Sequence, residues 1–96
     1  MSTSLSTLKW AHVETVLGSV GRLRLLKKMI DKPEAFFTKY YLAKSTGLRS
    51  FEVRKDLEIL LVIGWIKQYS CDPKVYRINK EHGAVRLISE FFRNFR

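Results

Sequence analysis

Arg49, Ser50, Phe51, Arg54 and Lys55 stand close together in one short stretch of the chain. Arginine presents a planar fork of donors and lysine a compact ammonium. Both pair with phosphate oxygens or with guanine edges, and a serine hydroxyl bonds either a base or a phosphate. Phe51 can touch a thymine methyl; equally, it can pack against the preceding helix, and Arg54 and Lys55 can be an ordinary solvated face. This is the chemistry of recognition, not of bond-making. No clustered carboxylate pair and no nucleophile beside a base is present, so no catalytic residue is assigned and an enzyme is not expected. Gly18-Ser19-Val20-Gly21 is followed by no Gly-Lys-Ser or Gly-Lys-Thr and is not a phosphate loop. Cys71 is the sole cysteine, and His12 and His82 form no ligand pair at helical spacing, so neither a metal nor another cofactor is expected. No small-molecule ligand is evident.

The charge balance agrees with a polyanionic partner. Lys and Arg number 18 against 9 Asp and Glu, giving a net charge of +9 on 96 residues. A hydrophobic share of 46% suffices for a core and excludes a disordered chain. No stretch reaches the roughly 18 consecutive apolar residues of a membrane span, and the first residues lack the basic and apolar regions of a secretory signal. A lone thiol suits the cytosol. The expected setting is the cytoplasm, associated with the nucleoid, with no membrane partner.

These residues must be positioned by a single domain spanning 1–96, because the chain is long enough for one core and not two. A helix is expected at about 7–17, with Leu8, Val13, Val16 and Leu17 as a loose apolar set. A second follows from Val20 to Ile30, where Leu23, Leu26 and Ile30 recur at helical spacing; Pro33 ends it. Phe36-Phe37-Thr38 reads as a short extended piece. Thr38 caps a helix to about Thr46 that turns Tyr41, Leu42 and Ala43 inward, and Gly47 closes it. From Ser50 to Ile63, Val53, Leu57, Leu60 and Leu61 form an amphipathic stripe, which leaves Glu52 and Asp56 solvated or paired with neighbouring cations. Trp65 to Ser70 and Val75 to Ile78 read as a hairpin around Cys71-Asp72-Pro73-Lys74. Asn79 is expected to cap a last helix that runs to about Phe95.

Two helices joined by Thr46-Gly47-Leu48 have the connection length of a helix-turn-helix, at about 38–63, and the hairpin at about 65–79 makes it a winged one. The fold class is therefore mainly α with a small β-hairpin (α+β): a winged helix-turn-helix with extra N- and C-terminal helices. The second helix of the pair would project a face suited to the DNA major groove, with the wing tip near Asp72 to Lys74 at phosphates or the minor groove.

The stretch from Leu17 to Leu26, together with Phe37-Thr38, Leu42-Ala43, Thr46-Gly47-Leu48, Val53, Leu57, Leu60, Gly64-Trp65-Ile66, Tyr76-Arg77-Ile78-Asn79 and His82, resembles archaeal winged-helix transcription regulators of the ArsR-like type. That resemblance covers roughly Val16 to Phe95. It implies a dimer on double-stranded DNA. Carried over by position, Ser50, Phe51, Arg54 and Lys55 would face bases. Thr38, Tyr40 and Lys44 would sit at phosphates, with Lys74 and Arg77 in the wing, and Arg49 joins this basic cluster. Members often carry Ser or Thr at the position of Arg49 and small polar residues at Phe51 and Arg54. This chain is bulkier there, so base preference does not transfer. The paired cysteines of metal-sensing members are missing.

Apolar residues at both ends raise self-association. Leu5, Leu8, Trp10, Val13 and Val16 recur near the N-terminus; Phe91 and Phe95 share one face of the last helix, and Phe92 and Ile88 a neighbouring one. Such surfaces mark interfaces or else cover the core. The expected homodimer interface comprises Leu5, Leu8, Val13, Ile88, Phe91, Phe92 and Phe95. Two other functional classes stay open: a winged-helix protein-interaction module, and a non-specific chromatin or nucleic-acid-binding protein.

Overall fold

Each helix after the first begins where a side chain takes up an early amide hydrogen, the groups a helix N-terminus leaves without an internal acceptor. Ser19 Oγ accepts from Arg22 N at 3.3 Å, and Thr38 Oγ1 accepts from Tyr41 N at 3.1 Å. Glu52 reaches back to accept from Arg49 N at 2.9 Å, and His82 Nδ1 accepts from Ala84 N at 3.2 Å. In the computed structural model these starts delimit α1 (Thr3–Leu17), α2 (Val20–Asp31), α3 (Lys39–Thr46), α4 (Ser50–Val62) and α5 (Gly83–Arg93), with β1 (Ile66–Tyr69) and β2 (Val75–Ile78) between the last two. The structure describes the backbone of residues 3–95 and the side chains of residues 10–95. This is the winged helix-turn-helix expected from the sequence. Among the described residues no helix is long and apolar enough to cross a membrane.

The turn between α3 and α4 sets their crossing. Gly47 adopts φ 77°, the left-handed conformation that ends a helix at little cost only for a residue without a Cβ. Thr46 braces the same corner: its hydroxyl donates to Leu42 O at 2.6 Å and accepts from Leu48 N at 3.4 Å.

One core joins all helices to the hairpin. Val16 of α1 and Leu25, Leu26 and Met29 of α2 pack with Leu42, with Val53, Leu57 and Leu60 of α4, and with Val85 of α5. Trp65, Ile66, Tyr76 and Ile78 close it from the hairpin side. Burying side chains of this size contributes about 1.5–3 kcal/mol each.

The antiparallel hairpin pairs Ile66 with Ile78, Lys67 with Arg77, Gln68 with Tyr76 and Tyr69 with Val75. Its turn contains a cis Asp72–Pro73 bond. The extended piece before α3 is one residue of a third strand: Phe37 N donates to Tyr76 O at 2.8 Å, and Tyr76 N donates to Phe37 O at 2.7 Å.

Four expectations need correction. Asn79 does not cap the last helix. It ties the base of the hairpin, donating from Nδ2 to Gly64 O and from N to Trp65 O, each at 2.9 Å, and His82 takes the capping position. The helix ends at Arg93, short of Phe95. Tyr41 points outward, because its ring stands beside Phe37 and under the Lys28 ammonium at the edge of the core. Of the two alternatives for Asp56 the structure shows the paired one: it is 7% exposed and bonded to Arg22, a cation 34 positions away in the chain. The first helix also begins earlier than expected, at Thr3.

Candidate nucleic-acid interface

Successive residues of a helix are separated by about 100° around its axis. On α4 this places Ser50, Arg54, Glu58, Phe51, Val62 and Lys55 on one arc of about 140°, and all six are exposed. Val53, Leu57, Leu60 and Asp56 occupy the opposite side and are buried. The four residues expected to face bases therefore share one outward surface. Phe51 is 58% exposed, so its ring is not packed beneath α3. Arg49 stands at the head of this surface as the N-cap of α4 and is exposed. Glu58 and Val62 belong to the same face, and the sequence reading missed them; counting four on from Arg54 and from Glu58 finds both.

On α3, Tyr40 and Lys44 are exposed one turn apart, and the Lys44 ammonium lies 5.4 Å from the Tyr40 ring centre. This cation–π contact keeps the charge at the surface while limiting its wandering. Thr38 uses an oxygen lone pair in capping and keeps its hydroxyl hydrogen for a further acceptor.

The two wing cations differ. Lys74 is exposed in the turn. Arg77 lies further back on β2, where its guanidinium donates to Glu34 and stacks 4.9 Å from the Phe36 ring centre. Lys80 also pairs with Glu34. The Lys80 ammonium, and then the Arg77 guanidinium, hold the Glu34 carboxyl below the usual carboxylate range. Arg77 is thus occupied in fastening the wing to the segment before α3, and the structure does not bring it to the wing tip.

The apolar residues expected at an interface also divide. Leu87, Phe91 and Phe95, spaced by four, are 75%, 57% and 69% exposed and form a continuous stripe, with the Phe91 and Phe95 rings 4.9 Å apart. Ile88 is buried, and Val13 and Phe92 are half-buried against the core. Leu87 was overlooked, although it stands four before Phe91. Trp10, Leu17 and Val20 are also exposed. The side chains of Leu5 and Leu8 lie outside the described residues.

No protein-family model matches the chain, and no curated protein matches it in sequence. Solved structures do share its fold. A predicted DNA-binding transcriptional regulator from E. coli aligns with a TM-score of 0.75 at 20% identity, over 98% of this chain and 96% of that one. NolR from Sinorhizobium fredii aligns at 0.74 and 14% identity, over 99% and 93%. A homodimeric winged helix-turn-helix DNA-binding domain from Mycobacterium bovis, described as a possible ArsR-family transcriptional regulator, aligns at 0.72 and 18% identity, over 99% and 86%.

Proposed function

We propose that the protein is a transcription regulator of the ArsR-like type that binds double-stranded DNA sequence-specifically as a homodimer. Helix α4 enters the major groove, and the wing lies along the backbone or at the minor groove. The observation that carries this reading is the outward arc of α4, where Ser50, Phe51, Arg54 and Lys55 stand together opposite the buried stripe. An exposed helix face that carries an arginine and a lysine in its first two turns, followed by a hairpin, suits base edges in the major groove. The net charge of +9 supplies attraction to phosphates. Arg49, Thr38, Tyr40, Lys44 and Lys74 make the backbone contacts. The homodimeric DNA-binding domain from M. bovis with the same fold lends support to the assembly.

The dimer forms through the stripe Leu87, Phe91 and Phe95 together with the first helix. Ile88 serves the protomer core instead. Twofold symmetry sets two copies of α4 about 34 Å apart, one helical turn of DNA, and requires a near-palindromic site. A second reading draws on Phe51 and Val62, apolar side chains exposed on the same arc, which suit a protein partner. Selection from a random duplex pool at near-physiological salt separates the two. Enrichment of a palindrome with half-sites one turn apart is expected. Binding without enrichment replaces sequence reading with an architectural role, and absence of binding favours the protein partner.

A further inference from the structure

Among the described residues Asp56 is the one charged residue that is buried, and it sits at the edge of the inner side of α4, next to Leu60 around the helix. Arg22 Nη1 donates to Asp56 Oδ1 at 3.0 Å. The same guanidinium donates from Nε to Thr15 O, also at 3.0 Å. Thr15 lies in the last turn of α1, where backbone carbonyls have no partner within the helix. One side chain of α2 therefore bonds α1 on one side and α4 on the other. The approach depends on Gly21, since a Cβ there would stand 2.9 Å from Asp56 Oδ2.

Buried ion pairs are poor stabilisers. Desolvation offsets much of their attraction, and an apolar pair of similar volume is often as stable or more so. What they supply is directionality. The other inward residues of α4 are Val and Leu, whose contacts tolerate a small rotation of the helix. A guanidinium held at two fixed acceptors does not. The geometric stakes are large on the far side of α4. With side chains extending about 5–6 Å from a helix axis, a rotation of about 20° displaces an outward tip by about 2 Å. Functional constellations must be held to about 0.5 Å.

From this we infer that Arg22 and Asp56 are a positioning pair that fixes the rotation of α4 against α1 and α2, and thereby sets how sharply the protein distinguishes one DNA sequence from another. The inference rests on the DNA-reading function proposed above.

The test is the double variant Arg22→Met/Asp56→Leu, which removes one charge of each sign and leaves the net charge unchanged. Attraction to any duplex through bulk charge is therefore preserved. Affinity for the selected site and for a scrambled duplex is measured at one salt concentration, with circular dichroism and thermal melting alongside. The expected double variant is folded, melts near the native temperature and binds the scrambled duplex as the native protein does, yet its discrimination ratio falls about tenfold. A folded double variant with the native ratio overturns the inference. Should it not fold, Arg22→Lys, which keeps the charge and loses the planar fork that reaches both Thr15 O and Asp56, is read in the same way: a lowered ratio supports the pair and a native ratio overturns it. If the native protein itself shows no discrimination, the DNA-reading function fails and this inference falls with it.

Discussion

Lys74 and Arg77 belong to the same hairpin and carry the same charge, but their surroundings call for opposite behaviour on DNA. Lys74 is exposed in the turn, whereas Arg77 is committed to Glu34 and the Phe36 ring. If Lys74 contacts a phosphate, its replacement by alanine removes one counterion-releasing contact per protomer. Each such contact contributes about 0.9 to the slope of log affinity against log salt. Between 50 and 200 mM salt that amounts to about 3.5-fold per contact, or about 12-fold for the two wings of a dimer. Lys74→Ala should thus weaken binding to all sequences alike and lose about 12-fold less affinity than the native protein across that salt range. Arg77→Ala should leave the slope near native and act on the fold instead. Surface ion pairs and exposed cation–π contacts each contribute little to stability, so a small decrease in melting temperature is expected. The assay is fluorescence anisotropy on one duplex over a salt series, with thermal melts of both variants. An Arg77→Ala slope flattened as much as that of Lys74→Ala would refute the assignment of Arg77 to fastening the wing.

Arg54→Ala should weaken specific binding by about 1–3 kcal/mol if the guanidinium reads a base; unchanged affinity for the selected site, measured by titration, removes it from the base-facing set. Phe95→Asp places a charge within the stripe Leu87, Phe91 and Phe95 and should yield monomers in sedimentation equilibrium, and persistence of dimers would move the interface elsewhere. Glu34 has a lowered folded-state pKa, so its contribution to stability is complete above its unfolded value near 4.5 and is lost as pH falls through the lower folded value. The melting-temperature difference between the native protein and Glu34→Gln should accordingly be constant at neutral pH and shrink only in strong acid; a difference that changes between pH 6 and 8 would contradict the pairing.

The helices and hairpin were legible because their signals are local. Thr38 and Gly47 mark both ends of α3, and Val53, Leu57 and Leu60 repeat at the helical period along α4. The outward residues of α4 follow from that period, so the candidate site came with it. What the sequence hid was the partner of each polar group. The sequence leaves Asp56 either solvated or paired because Arg22, which neutralises it, lies on another helix 34 positions earlier. Arg77 looked available because Glu34 lies 43 positions away. Asn79 and His82 are both able to cap a helix, and the choice between them was made by the hairpin base, which needed a donor for Gly64 O. The last helix presents apolar residues over more than half its circumference, and periodicity alone does not say whether Ile88 or Leu87 turns inward. The packing of the core places Ile88 inside.

The single bridge between Phe37 and Tyr76 has a consequence for how this fold can vary. With Asn79 holding the base and Phe37 gripping the middle of β2, the strand register is fixed without help from the turn that joins the strands. Residues 70–74 are then relieved of structural duty. Doubling the length of a flexible loop adds only about 0.6 kcal/mol of closure entropy. The turn can thus be lengthened, shortened or recharged while Ile66 still faces Ile78, which makes the wing tip the segment where related chains can diverge in reach and charge at least cost to folding.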